Sequence, residues 1–136
     1  MITIISSDNR RMVDFGSADT MQAVFSTAAV LLRTEEQKIS QGLAFLKTGK
    51  CTPEKCMETA RQINMIRDRL ASYPPEKAVY DMNDRSQKAP WEGNISPVIT
   101  SCGNLFLTAD GKDLFFELVS ILSYAALKHV SVEIAE

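Results

Sequence analysis

Residues 74–113 read PPEKAVYDMNDRSQKAPWEGNISPVITSCGNLFLTADGKD, and they separate a helical first half from a final helix and strand. This stretch holds four of the five prolines and the only tryptophan, Trp91. Because proline cannot donate the hydrogen bond that a helix interior requires, the stretch is predicted to be largely loop. Loops on a rigid scaffold concentrate binding residues, so a functional site is expected here first.

Three amphipathic patterns precede this stretch. The first begins at a capping residue, Ser17 or Asp19, and the second ends at Gly49. The third begins at 52–54, Thr-Pro-Glu, with a hydroxyl cap, proline at the first helical position and an acid near the positive end of the helix dipole. Their apolar positions are Met21, Val24, Phe25, Ala28, Leu31 and Leu32; Ile39, Leu43 and Leu46; and Cys56, Ala60, Ile63, Ile66 and Leu70.

A fourth helix follows the stretch, and strands are predicted at both ends of the chain. Asp110 is expected to cap this helix, with Asp113 as the acid of a capping box, and His129 to lie in its last turn. Apolar residues cover a wide face of it, so we expect it to be the most buried helix. Strands are predicted at 1–6, 12–15 and 130–134, with further short strands at 95–99 and 105–107.

These elements predict an α+β fold. We expect one domain spanning residues 1–136, with a small, mostly antiparallel sheet and three to four helices packed on one face. The two terminal strands are candidates to pair with each other. A chain of 136 residues buries enough surface to fold without a metal or a disulfide.

Composition limits the possible partners and compartments. The net charge is −2 and the pI is near 5.5, so the chain lacks the basic surface of a nucleic-acid-binding protein. The N-terminus does not have the pattern of a signal peptide, and no apolar segment is long enough to span a bilayer. Three cysteines, an odd number, indicate reduced thiols. We therefore expect a soluble cytoplasmic protein.

Catalytic and metal-binding patterns are weak. His129 is the only histidine, and no nucleophile is placed to act with it. The spacing of Cys51 and Cys56 does not match a zinc site. A hydrolase in which Asp81, Asp84 and Asp110 hold a magnesium ion is a possible alternative, although their spacing does not define a common site. The sequence favours a protein that is not an enzyme and that uses no cofactor or metal.

A binding function needs only a shaped surface, and residues 80–93 offer one that is acidic and contains aromatic side chains. Tryptophan is frequent among the residues that dominate binding energy at interfaces, but it is also a common core anchor. Trp91 is therefore predicted either as a core residue or as an exposed contact. Tyr80, Asp81, Asp84, Trp91, Glu92 and Asp110 are the candidate contacts.

One set of positions, mainly in the C-terminal half, has the residues of a known family. The set comprises 25–27, 73–77, 79–81, Asp84, Lys88, 90–91, 93–96, 99–100, 104–106, Thr108, 110–111 and 113–114. In these residues the chain resembles a family of bacterial immunity proteins, the one numbered seventy, from polymorphic-toxin and contact-dependent growth-inhibition systems. Where family members have glycine directly after the tryptophan, this chain has Glu92 before Gly93.

The resemblance implies binding rather than catalysis. It predicts a cytoplasmic immunity protein that binds and neutralises the C-terminal toxin domain of an effector. That domain is expected to be a basic nuclease, whose positive surface the carboxylates of the loop would complement. A metal-dependent hydrolase and a cytoplasmic adaptor without a toxin partner are the alternatives. Neither nucleic acid nor membrane is expected as a direct partner, and the oligomeric state is left open.

Overall fold

The two ends of the chain form the sheet. The computed structural model describes residues 2–87, 89, 93 and 95–135. Its three strands are antiparallel and lie in the order β2–β1–β3, with β1 at Ile2–Ser6, β2 at Met12–Gly16 and β3 at Val132–Ala135. Ile4 of β1 lies opposite Val13 on one side and Ile134 on the other. The strands at the two ends of the chain, β1 and β3, therefore pair with each other, and β1 is the middle strand of the sheet.

Four α-helices pack against one another, and two of them make the main contacts with the sheet. They are α1 (Ala18–Leu31), α2 (Ser40–Thr48), α3 (Pro53–Leu70) and α4 (Leu114–Lys128), with short 3₁₀ helices at Arg33–Glu35 and Pro75–Lys77. Helix α4 lies between α3 and all three strands, while α1 contacts β2 and α2 contacts both α1 and α3. This arrangement confirms the predicted α+β fold. No described helix is long and apolar enough to cross a membrane.

Helix α4 is at the centre of the core, as its wide apolar face predicts. Its side chains at 114, 115, 118, 122 and 125 are fully buried. The ring of Phe115 meets the ring of Phe106 edge to face, at 6.2 Å between centroids. β1 alternates as a half-buried strand should, because Ile2, Ile4 and Ser6 are buried whereas Thr3 and Ile5 are only partly covered.

Gly49 fixes how α2 turns into α3. It ends α2 in the left-handed conformation, with φ of 71°. A Cβ atom at this position would lie 2.9 Å from Cβ of Ile134 and 3.0 Å from Cδ1 of Ile4. Only glycine satisfies both the backbone and this close approach to the sheet. Two residues later, Cys51 and Val132 exchange backbone hydrogen bonds of 2.9 Å, which attaches the turn to the edge of β3.

Four local predictions need correction. Asp113, not Asp110, caps α4, because its carboxylate accepts from the Phe116 N–H at 3.0 Å. Asp110 instead lies in the turn before the helix, which Thr108 and Lys112 close with a 2.8 Å backbone hydrogen bond. Thr52 precedes α3, but its side chain forms no capping bond. His129 follows the last turn of α4, in the left-handed conformation that ends the helix.

The strands predicted at 95–99 and 105–107 are also wrong. None of the described residues between Leu70 and Leu114 belongs to a strand, and only an isolated bridge joins Leu107 to Asp113. The backbone groups of this region find other partners. Asn104 accepts from the backbone N–H groups of Thr100 and Ser101, and the N–H of Cys102 donates to the carbonyl of Tyr73 at 2.9 Å.

Three polar side chains of α1, two of them buried, hold the segment 79–82. The Thr27 hydroxyl donates to the carbonyl of Val79 at 3.1 Å and accepts from the N–H of the same residue at 3.0 Å. The Ser26 hydroxyl accepts from the N–H of Met82 at 3.1 Å, and the Gln22 amide donates to the carbonyl of Tyr80 at 3.4 Å. The loop that follows α3 is therefore fixed to the first helix through its backbone.

We expect Leu118→Ala to lower the free energy of unfolding by about 2–5 kcal/mol, the range for truncating a buried leucine. Leu118 is fully buried between α4 and its neighbours. Denaturant unfolding measures the change. A loss below about 1 kcal/mol would contradict the central place of α4 in the core.

We expect Thr27→Val to destabilise the fold and to release the segment 79–82. Valine keeps the shape but leaves the N–H and C=O of Val79 without partners, at about 1–3 kcal/mol for each buried group. Thr27→Ser, which keeps the hydroxyl, is the matched control. Hydrogen exchange at the amide of Val79 should accelerate in the valine variant alone. Equal exchange in both variants would show that the hydroxyl does not hold the loop.

Candidate functional site

The predicted contact residues lie in two places on the surface. Tyr80 and Asp81 line a cavity of about 310 Å³ together with Glu76 and Arg85. Asp84 lies in the turn that continues from Asp81. Asp110 lines a different cavity, of about 520 Å³, beside β2; its other lining residues include Met12, Asp14, Lys112 and Glu117. The structure therefore brings three of the predicted residues together and separates the fourth from them.

Two successive turns give Asp81 and Asp84 their positions. The Asp81 carboxylate accepts from the N–H of Asn83 at 2.9 Å, and the Asp84 carboxylate accepts from the N–H of Ser86 at 3.2 Å. The backbone N–H of Asp84 also donates to the carbonyl of Asp81 at 3.2 Å. Such side-chain bonds two residues ahead are typical of aspartate in turns. Each carboxylate therefore shapes the local backbone as well as carrying charge.

Asp84 keeps an ionised carboxylate. Hydrogen bonds hold its pKa below the usual value, first from the Ser86 hydroxyl, then from the backbone of Ser86 and the side chain of Gln87. Asp84 is exposed, and neither Asp81 nor Asp84 forms an ion pair with another described residue. The negative charge of this turn is therefore open to a partner.

Tyr80 connects the loop to the start of α1. Burial raises the pKa of its phenol, and a hydrogen bond to Asp19 and the negative charges of Asp19 and Asp81 raise it further. Tyr80 therefore stays neutral at physiological pH. Tyr80 lines the cavity together with the carboxylates of Glu76 and Asp81, so the cavity wall is partly aromatic and partly acidic.

The carboxylate of Asp110 is used within its own turn. The Thr108 hydroxyl donates to it and is the main cause of its lowered pKa, and Nζ of Lys112 lies 3.5 Å away. In the part of the chain that the structure describes, no three His, Cys, Asp or Glu side chains are grouped to hold a metal ion. Asp81, Asp84 and Asp110 are thus not gathered as the hydrolase alternative requires.

Neither the cysteines nor the histidine forms a catalytic arrangement among the described residues. All three thiols are free and buried. Burial raises the pKa of Cys56 to about 12 and that of Cys102 to about 11, so both stay protonated and unreactive at neutral pH. His129 is exposed, with Nε2 3.9 Å from Oε1 of Glu54.

Two of the predicted contacts, Trp91 and Glu92, lie outside the described residues, and their roles stay predictions.

Other residues at this site were missed by the sequence analysis. Asp19 and Glu76 add negative charge and Arg85 adds positive charge, and only the folded chain brings Asp19 to Tyr80. The sequence of α1 did contain a signal for the hydrogen bonds that hold the segment 79–82. Thr27 interrupts the apolar face of this helix, and a buried hydroxyl needs hydrogen-bond partners.

Comparison with known proteins gives one match. The family model described as Immunity protein 70 matches residues 5–134, which includes most of the sheet and all four helices. No curated protein and no solved structure gives a significant match. The family implies a cognate toxin as the partner and a role in binding rather than in catalysis. With nearly its whole length matched, the chain belongs to the Immunity protein 70 family.

Proposed function

We propose that this immunity protein binds and neutralises the C-terminal toxin domain of an effector from a contact-dependent growth-inhibition or related polymorphic-toxin system. The toxin domain in this proposal is a nuclease, and the two proteins meet in the cytoplasm. Nucleases present basic surface to the phosphate backbone of their substrate. An acidic partner that occupies this surface both attracts the toxin and competes with nucleic acid.

The observation that carries the proposal is an acidic surface around Tyr80. We define the acidic loop surface as Asp19, Glu76, Tyr80, Asp81 and Asp84. Its four carboxylates stand against three nearby basic residues of the described chain: Lys77, Arg85 and Lys47, which lines the neighbouring cavity with Met82 and Asn83. The cavity in this surface, about 310 Å³, can receive a projecting lysine or arginine side chain. Trp91 and Glu92 extend the proposed contact along the sequence.

The acidic loop surface is also held in place before the partner arrives. Val79 is fixed by Thr27, and Met82 is fixed by Ser26. Asp81 and Asp84 then stabilise the turns that carry their own charges. Because binding loses affinity when a loop must first be ordered, this anchoring favours tight association.

The proposal is tested by removing charge while keeping the turns. Asn at 81 or 84 retains the side-chain oxygen that accepts from the backbone, so the fold should be unaffected and the thermal midpoint nearly unchanged. We expect Asp81→Asn and Asp84→Asn each to weaken binding of the toxin domain encoded beside this protein, and the double variant more so. A charge desolvated at the interface centre and paired with Lys or Arg costs about 2–5 kcal/mol when removed. Titration calorimetry at low and moderate salt measures both the affinity and its salt dependence.

Asp68→Asn on α3 is the matched control, because it removes the same charge from an exposed site outside the acidic loop surface. It should bind like the wild type. Wild-type affinity in the double loop variant, together with loss of affinity when Glu54 and Glu58 are both changed to Gln, would place the toxin on α3 and contradict the proposal.

A further inference from the structure

Helix α4 leaves one face uncovered. Four of its five exposed positions form a stripe at helical spacing, and the two ends of the stripe are large and apolar. The fifth, Lys128, lies beside the stripe. Phe116 is 59% exposed and Leu127 is 80% exposed, and they lie eleven residues apart, about 16 Å along the helix axis. Between them the stripe holds Ser120 and Ser123. A solvated helix face normally carries charged side chains, whereas this stripe carries none.

The residue types along the stripe are arranged symmetrically about its midpoint. Phe116 and Leu127 are equally far from the midpoint between 121 and 122, and so are Ser120 and Ser123. If two copies of α4 met in opposite directions, Phe116 of each would contact Leu127 of the other. The serines would meet at the centre, where small side chains let the helix axes approach closely. We propose that two copies of this chain associate through α4 in this antiparallel, two-fold arrangement.

The charges that flank the stripe support the same arrangement. Glu117 and Lys128 are the only charged residues of α4. At about 100° per residue, both lie on the same side of the stripe. In a two-fold antiparallel pair these sides adjoin, and Glu117 of one copy comes within about 3 Å, along the axis, of Lys128 of the second copy. In a parallel two-fold pair these sides would lie on opposite flanks of the contact, so Glu117 of one copy would not come near Lys128 of the other.

The stripe suits a second copy better than it suits a basic toxin. An uncharged face offers no attraction to positive surface, whereas the acidic loop surface does. An isologous contact requires a patch that complements itself, and the order apolar, small, small, apolar meets this requirement. Other large exposed apolar side chains, such as Val98 and Met12, lie outside this stripe.

Sedimentation velocity over a wide range of protein concentration tests the proposal. We expect the wild-type protein to shift from monomer to dimer as concentration rises. Leu127→Glu and Phe116→Glu should each remain monomeric where the wild type is dimeric, because each buries a charge against an apolar side chain. Val98→Glu is the matched control, since Val98 is 77% exposed and lies in a loop. It should dimerise like the wild type, and equal thermal midpoints would show that all variants fold.

A charge-reversal cycle tests the direction of pairing. Glu117→Lys and Lys128→Glu should each weaken the dimer, because each places like charges side by side. The double variant should restore it. A wild-type protein that stays monomeric at every concentration would overturn the proposal, and so would a dimer that Leu127→Glu leaves intact.

Toxin binding by the Leu127→Glu variant provides a further test. If the protein is monomeric and Leu127→Glu loses toxin binding, the stripe is a toxin contact and the dimer proposal is wrong. Asp81→Asn and Asp84→Asn should leave the dimer unchanged. Failure of the dimer proposal is therefore distinguishable from failure of the proposed toxin surface.

Discussion

The two hydrogen bonds between the Thr27 hydroxyl and the backbone of Val79 join the helical part of this molecule to its loop region. Both partners are buried, and each would cost free energy if left alone. A hydroxyl on the inward face of α1 needs a hydrogen-bond donor and an acceptor. The backbone N–H and C=O groups of a loop that runs over this helix need partners as well, because no strand or helix of their own supplies them. One side chain satisfies both requirements, and the course of the loop toward Tyr80 follows from it.

The parts of the fold that sequence predicts well are those with repeated local signals. Helix α4 has apolar residues at many successive turns, and Gly49 combines a helix end with a position where only glycine fits. The region after α3 has short apolar runs instead, such as 95–99 and 105–107. Such runs favour strands locally, but a strand also needs a partner with free backbone groups. Here the Asn104 side-chain amide donates to the carbonyl of Val98, and the carbonyl of Phe106 accepts from the N–H of Leu114 instead.

The contrast between local signals and long-range contacts also explains which features of the candidate site could be predicted from the sequence. Asp81 and Asp84 are close in the chain, so any turn keeps them together. Asp110 is distant in the chain, and nothing in its local sequence shows which side of the molecule it reaches. The structure settles its position through the N–H of Ala109, which donates to the carbonyl of Asp14 at 3.0 Å and ties this turn to β2. The separation of Asp110 from the loop carboxylates is therefore a consequence of tertiary structure.

The way the loop is anchored also fits the cognate toxin partner that the family implies. Gln22, Ser26 and Thr27 all bond to backbone atoms of the segment 79–82. Backbone anchors hold the course of the chain without specifying which side chains it carries. These bonds to α1 would therefore survive a change of side chain at 80 or 81, and at 81 a turn-forming residue such as Asn would also keep the local turn. Specificity is a difference between affinities, and a fixed backbone with replaceable side chains lets that difference change without loss of the fold.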